Sequence, residues 1–261
     1  MNSLRFAYDY LNYYLTAKNK HDIHSPFVFD FTTKVLNNDK HEKKFDKVEY
    51  LRRKLRSDNA EISFSDFGAG SSRFVKNKST ISVIAKNSAK QFKYARLLYR
   101  TVNYFKPQNM LELGTSLGIS TLYQAMANPQ SNFITIEGSD SVAKIAQQNF
   151  DACNVNNVKL INGLFDEQLP EILKQLKGLD YVFFDGNHRK EPTLKYFEMC
   201  LQKASPSSIF IFDDINWSKE MKQAWTEIKN HQRVLISIDL FVMGIVFFNP
   251  DFSKQQFVIR F

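Results

Sequence analysis

Residues 112–120 read ELGTSLGIS. Glycines set beside small hydroxyl residues, behind an acidic one, suit a loop that holds a charged ligand against bare backbone. The stretch continues the apolar run NMLELG and leads into STLYQAMA, a good helix start, so it predicts strand, loop and helix in that order. Gly114 and Gly118 then lie at the carboxyl end of a strand, where open α/β sheets bind ligands. Residues 66–71, DFGAGS, have a similar composition, but they follow EISFS with no crossover helix and lead into RFVKNKST, a poor helix. That stretch is expected to be a tight turn, and ELGTSLGIS the cofactor loop.

Outward from this loop, residues after 105 alternate between short apolar runs (NMLELG, NFITIEG, VKLING, LDYVFFDG, SIFIFDD) and helical stretches such as SVAKIAQQNFDACN and EPTLKYFEMCLQKA. Apolar strands with helical crossovers predict a parallel sheet covered on both faces. RVLISIDL, FVMGIVFFNP and QFVIRF near the end have no helix-length spacer, so an antiparallel ending is expected. Before residue 105 the chain is rich in Lys, Tyr and Phe at helical spacing, as in SAKQFKYARLLYRTVNYF. The expected organisation is a basic, mainly helical amino-terminal extension over 1–104 and an α/β core over 105–261.

At 261 residues and 43% hydrophobic content the chain can bury a full core. No run approaches the roughly 20 apolar residues of a membrane helix, and the amino terminus lacks the pattern of a secretion signal, so a cytoplasmic protein without a membrane partner is expected. Cys153 and Cys200 form no C-x-x-C pair and fall in predicted helices, which points to plain thiols. Charge is uneven: residues 1–105 hold 20 Lys and Arg against 10 Asp and Glu, and residues 106–261 hold 15 against 17. An anionic partner such as RNA therefore has a basic first part to approach. A solvated helical surface is the plainer alternative. In HDIHSPFVFDF, two histidines beside an aromatic cluster allow a zinc half-site, but Ser25 or Asp22 capping a helix with Pro26 in its first turn is the expected reading, with Phe27, Phe29 and Phe31 packing inward.

The glycine pattern is neither G-x-G-x-x-G nor a P-loop. Glu137 ends the next strand 25 positions after Glu112, near the spacing at which a carboxylate takes the ribose hydroxyls of a nucleoside cofactor. ELGTSLGIS, IEGS, FFDGNH and FIFDDI occur in that order. Together they resemble the class I S-adenosylmethionine-dependent methyltransferases, in particular the metal-dependent catechol O-methyltransferase-like branch, over about residues 105–250. The resemblance implies a Rossmann-like, doubly wound, mostly parallel sheet with antiparallel carboxyl-terminal strands. It implies that Glu112, Gly114, Ser116 and Gly118 line the cofactor's methionine part and that Ser120 takes its carboxylate. Glu137 would bind the ribose, Gly163, Phe165 and Asp166 would border the adenine, and Asp185 would approach the methionine end.

Asp185 closes one apolar strand and Asp213 with Asp214 closes the next, so three like charges are expected together, a set that calls for a cation. Hard oxygen ligands suit magnesium or a similar divalent ion. The resemblance agrees, implying Asp185, Asp213 and Asp214 as metal ligands. His188, three residues after Asp185, stands where catechol-type relatives carry a lysine and is the candidate base. Related sugar O-methyltransferases use Asp-Gly-Asp with the second aspartate as base, and this chain has Asn187 there, which leaves the base open. The reading is a methyltransferase acting on an oxygen of a small molecule. An RNA methyltransferase and a non-catalytic nucleoside-binding protein of the same fold remain the rivals, and the oligomeric state is open.

Overall fold

The computed structural model describes residues 3–19, 22–66, 75–88 and 90–261. Gly68 and Gly70 of DFGAGS, and His21 of the possible zinc half-site, lie outside the described residues. In chain order the elements are α1 (Ser3–Thr16), α2 (Pro26–Phe31) followed by a π-helical turn, α3 (Lys44–Ser57), β1 (Glu61–Asp66), β2 (Val75–Thr80), α4 (Ile81–Ser88) and α5 (Phe92–Phe105). Then come β3 (Asn109–Leu113), α6 (Ile119–Ala127), β4 (Asn132–Glu137), α7 (Asp140–Cys153), β5 (Val158–Asn162) and α8 (Phe165–Gln175). The remainder is β6 (Leu179–Phe184), α9 (Lys190–Leu201), β7 (Ala204–Phe212), α10 (Lys219–Asn230), β8 (Ile236–Asp239), β9 (Gly244–Phe247) and β10 (Gln255–Val258).

Eight strands make one sheet in the order β10-β8-β9-β7-β6-β3-β4-β5, and β1 pairs antiparallel with β2 in a separate ribbon. This is the expected doubly wound, mostly parallel sheet with helices between the strands. The parallel strands read as continuous apolar runs because both faces are covered: in β3, Met110 to Leu113 are all buried, and in β4 so are Phe133 to Ile136. The ending is antiparallel where β9 pairs with β7 and with β8. The last strand differs, since β10 runs parallel to β8. Residues 248–254 carry the chain from β9 past its hairpin partner to that strand's free side.

The chain groups into two compact units, Met1–Asn37 with Ile172–Phe261, and Asn38–Glu171. In the first, α1 packs Tyr13 and Ala17 against Phe241, and the Tyr13 hydroxyl donates to the Ile259 carbonyl at 2.5 Å. Ser25 caps α2, with its hydroxyl accepting from the Val28 N–H and Pro26 in the first turn. Phe27 meets Phe247 and Phe252, and Phe31 is buried. Phe29, expected inward, is 44% exposed. The reason is periodicity: in a helix, positions 27 and 31 share a face and 29 points away.

In the second unit, α3 is bound to α5 and α6. Phe45 packs on Tyr99 and Tyr123, the Tyr123 hydroxyl donates to Glu49 at 2.6 Å, and Arg100 pairs with Asp39 at 2.8 Å. Both cysteines lie in helices as free thiols, and no helix among the described residues is long and apolar enough to cross a membrane.

Gly244 marks a tight place in the first unit. A Cβ there would lie 2.6 Å from two ring carbons of Trp225, whose indole N–H donates to Asp239 at 2.9 Å and so cannot swing aside freely. Gly244→Ala is expected to cost about 1–3 kcal/mol, the range for overpacking a filled core. Thermal melting checks this, and an unchanged midpoint would show that the ring yields without cost.

Candidate active site

The loop between β3 and α6 is built around a buried carboxylate. Glu112 has no exposed surface; its Oε1 accepts from Ser120 at 2.9 Å and Gln124 at 2.8 Å, and its Oε2 from Thr135 at 2.7 Å and from Thr121. Thr135 is its direct neighbour in the parallel register of β4, and the Thr135 hydroxyl also meets that of Thr115 at 2.6 Å. Burial raises the Glu112 pKa despite these four donors. Glu112 thus lies beneath the loop, and the Ser120 hydroxyl proton is committed to it. What Ser120 offers outward is its backbone N–H in the first turn of α6, where helix ends attract anions.

Above this anchor the backbone turns through left-handed conformations, with φ of 106° at Gly114, 48° at Ser116 and 80° at Gly118. Gly118 also has no room for a side chain, since a Cβ would come within 2.5 Å of the Phe150 ring. The Ser116 N–H donates to Glu137 Oε2 at 2.8 Å and the Ser139 N–H to Oε1 at 2.9 Å, so the carboxylate at the end of β4 is oriented from both sides. Burial raises the Glu137 pKa, and the Ser139, Ser116 and Gly138 N–H groups oppose that. Gly163 bonds the Glu137 carbonyl through its N–H at 2.9 Å, while Phe165 and the exposed Asp166 open α8.

In the other unit, Asp185 follows β6 and Asp213 follows β7; these strands pair Phe184 with Phe212, and the Asp213 N–H donates to the Phe184 carbonyl at 2.9 Å. Asp213 is buried. Asn187 and Asp214 have φ of 52° and 54°, left-handed values that non-glycine residues seldom adopt. His188 Nε2 lies 3.8 Å from Asp185 Oδ1 and 3.8 Å from Asp214 Oδ2. The structure therefore gathers His188, Asp185 and Asp214. The oxygens of Asp185, Asp213 and Asp214 have the right chemistry for a hard cation. Among the described residues, however, no three His, Cys, Asp or Glu side chains are arranged as a metal-holding group.

Sequence reasoning missed Thr121, Gln124, Thr135 and Ser139. Thr135 did carry a signal, as a hydroxyl inside the apolar run NFITIEG. Glu112→Ala should cost at least about 4 kcal/mol, because four buried donors lose their acceptor at about 1–3 kcal/mol each. Glu112→Gln tests the charge. A raised folded pKa means the folded state holds the proton more tightly, so the Glu112 contribution is full at low pH and is lost as pH rises from the ordinary glutamate range through the folded value. Melting from pH 4 to 8 should show wild type losing ground to Glu112→Gln with rising pH; parallel curves would refute this.

Residues 111–215 match the family model described as "Methyltransferase domain". A catechol O-methyltransferase of Niastella koreensis is 30% identical over 131 residues, which is 49% of this chain and 57% of that protein. The chain spans between 45% and 65% of the length of the curated relatives it matches. Among solved structures, an O-methyltransferase from Bacillus cereus in complex with SAH has a TM-score of 0.58 at 18% identity, covering 85% of this chain and 97% of that one. TomG of Streptomyces achromogenes, an O-methyltransferase involved in tomaymycin synthesis and solved with SAM, has a TM-score of 0.59 at 17% identity, covering 84% and 93%. At these identities the likeness shows the fold. Residues 111–215 are therefore similar to a methyltransferase domain, and the chain has the Rossmann-like fold of these solved O-methyltransferases.

Proposed function

We propose that this chain binds S-adenosylmethionine and transfers its methyl group to an oxygen of a small molecule. The observation that carries the reading is the Glu137 carboxylate, fixed at the end of β4 by the N–H groups of Ser116 and Ser139 beside the left-handed glycine loop. Backbone N–H groups fix the carboxylate in place, and its two oxygens are spaced to accept from two ribose hydroxyls. Gly114 and Gly118 let the backbone approach the methionine part, and the first turn of α6 takes its carboxylate. Phe165 and Asp166 border the adenine.

When bound, S-adenosylmethionine supplies a methyl group on a sulfonium, open to in-line displacement. The protein's part is alignment and removal of the acceptor proton. His188 takes that proton at Nε2, where Asp185 and Asp214 flank the imidazole and compensate its gained charge. A divalent ion would draw Asp185, Asp213 and Asp214 together around it and would acidify an acceptor oxygen.

Calorimetry with S-adenosylhomocysteine tests the cofactor site. Glu137→Ala should bind about 1–3 kcal/mol more weakly than wild type, the scale of a charged hydrogen bond; equal affinities would remove Glu137 from the ribose. For the metal, millimolar magnesium should raise the melting temperature of wild type by mass action and leave Asp214→Ala unmoved. If magnesium, manganese and calcium all leave wild-type melting unchanged, the enzyme works without a metal and His188 acts alone.

A further inference from the structure

Basic residues crowd the helices around α3. That helix holds six Lys and Arg, α4 one and α5 three, against two acidic residues in all, Asp46 and Glu49. Both acids are engaged: Asp46 pairs with His41 at 2.9 Å, and Glu49 accepts from Arg52 and Tyr123 on the packed side. In the loop before α3, Asp39 is held by Arg100 and Glu42 by Lys44. On α7, which also meets α3, Asp140 pairs with Lys144 and Asp151 accepts from Gln147. Lys47, Arg53 and Lys54 are exposed and have no acidic partner among the described residues. These three cations surround an aromatic ring. Residues three and four apart are neighbours on a helix, so Lys47, Arg53 and Lys54 border Tyr50, which is 65% exposed. The buried stripe of α3, from Phe45 through Val48 and Leu51 to Leu55, lies on the other side.

We infer that this outer face of α3 binds an unpaired segment of RNA. Charge complementarity calls for a polyanion, since three cations without partners stand together on one face. The ring selects among polyanions. A single strand offers a flat base beside each phosphate, so Tyr50 stacks on a base while Lys47, Arg53 and Lys54 hold the phosphates on either side of it. A duplex keeps its bases stacked inside, and RNA is the nucleic acid that ordinarily presents unpaired bases to aromatic side chains. An anionic membrane requires an apolar face between the basic residues; here the outward positions are Asp46, Lys47, Tyr50, Arg53, Lys54 and Ser57, with one ring and no aliphatic side chain. The inference goes beyond methyl transfer and does not rest on it: Phe45 and Glu49 are the residues of α3 that meet α6, and Tyr50 is turned away from them.

Fluorescence anisotropy of a labelled oligouridylate of about twelve nucleotides, titrated with the full chain at about 50 to 300 mM KCl, tests this. Wild type should bind, and log Kd should rise with log salt at a slope of about 2, from three phosphate contacts at about 0.7 each. Tyr50→Ala should weaken binding at least about 5-fold and keep that slope, and Tyr50→Trp should restore the affinity, because stacking needs a ring of any kind. Arg53→Ala with Lys54→Ala should flatten the slope by about 1.4. All three variants should melt with wild type, since these side chains face solvent. Wild type that fails to bind at about 100 µM, a folded Tyr50→Ala that binds like wild type, or a folded double variant with the wild-type slope overturns the proposal. Tighter binding of the matching oligodeoxyuridylate, or of an RNA duplex of the same length, overturns it too. Wild type that ignores the RNA but floats with phosphatidylcholine and phosphatidylglycerol vesicles would assign the face to lipid and likewise overturn it.

Discussion

The carboxylate of Glu112 is buried at the end of β3, and much of the site's architecture follows from how its charge is satisfied. A carboxylate taken out of water is tolerated only when hydrogen bonds replace the lost solvent. Here the donors come from α6 (Ser120, Thr121, Gln124) and from β4 (Thr135), so one side chain ties strand, neighbouring strand and following helix together. The loop from Gly114 to Gly118 spans the gap between these fixed points. α6 is held from its other side as well, through the Tyr123 hydroxyl on Glu49 of α3. A loop tethered at both ends can keep its N–H groups pointed in set directions, and one of those, at Ser116, orients Glu137.

Strain accompanies this order. Ser116, Asn187 and Asp214 are non-glycine residues in the left-handed region, and each follows a parallel strand, β3, β6 or β7. Such conformations cost on the order of 1–3 kcal/mol and persist where surrounding contacts over-determine them. At Asp214 the turn sets the carboxylate near His188, and at Asn187 it lets the side-chain oxygen accept from Arg189 at 3.1 Å. Asn187 is thus occupied by a structural partner.

The amino-terminal residues are joined to the far end of the sequence. Tyr13 bonds Ile259, Asp9 pairs with Lys222, and Phe27 and Phe31 pack on Phe247. Residues 1–37 therefore fold with the carboxyl-terminal strands, while α3 to α5 fold with the strands that carry the glycine loop.

The sequence by itself determined the parallel sheet, the loop and the acidic strand ends, because burial on both faces writes continuous apolar runs and a tight backbone approach demands glycine. It also determined the helical cysteines and narrowed the cap before Pro26 to Ser25 or Asp22, of which the fold uses Ser25. Tertiary structure alone decided that Glu112 lies under the loop rather than in it, since its four donors are spread over residues 120–135 and meet only when β3 and β4 come into register. Phe29 faces outward because the helix expected there turns it away from the face that Phe27 and Phe31 share. Tertiary structure placed an imidazole 3.8 Å from both Asp185 and Asp214, next to left-handed turns at Asn187 and Asp214 whose directions residue identity does not encode. The parallel seating of β10 is likewise a tertiary matter: which free edge a last strand joins depends on the path of the loop before it, and no pattern within the strand records that path.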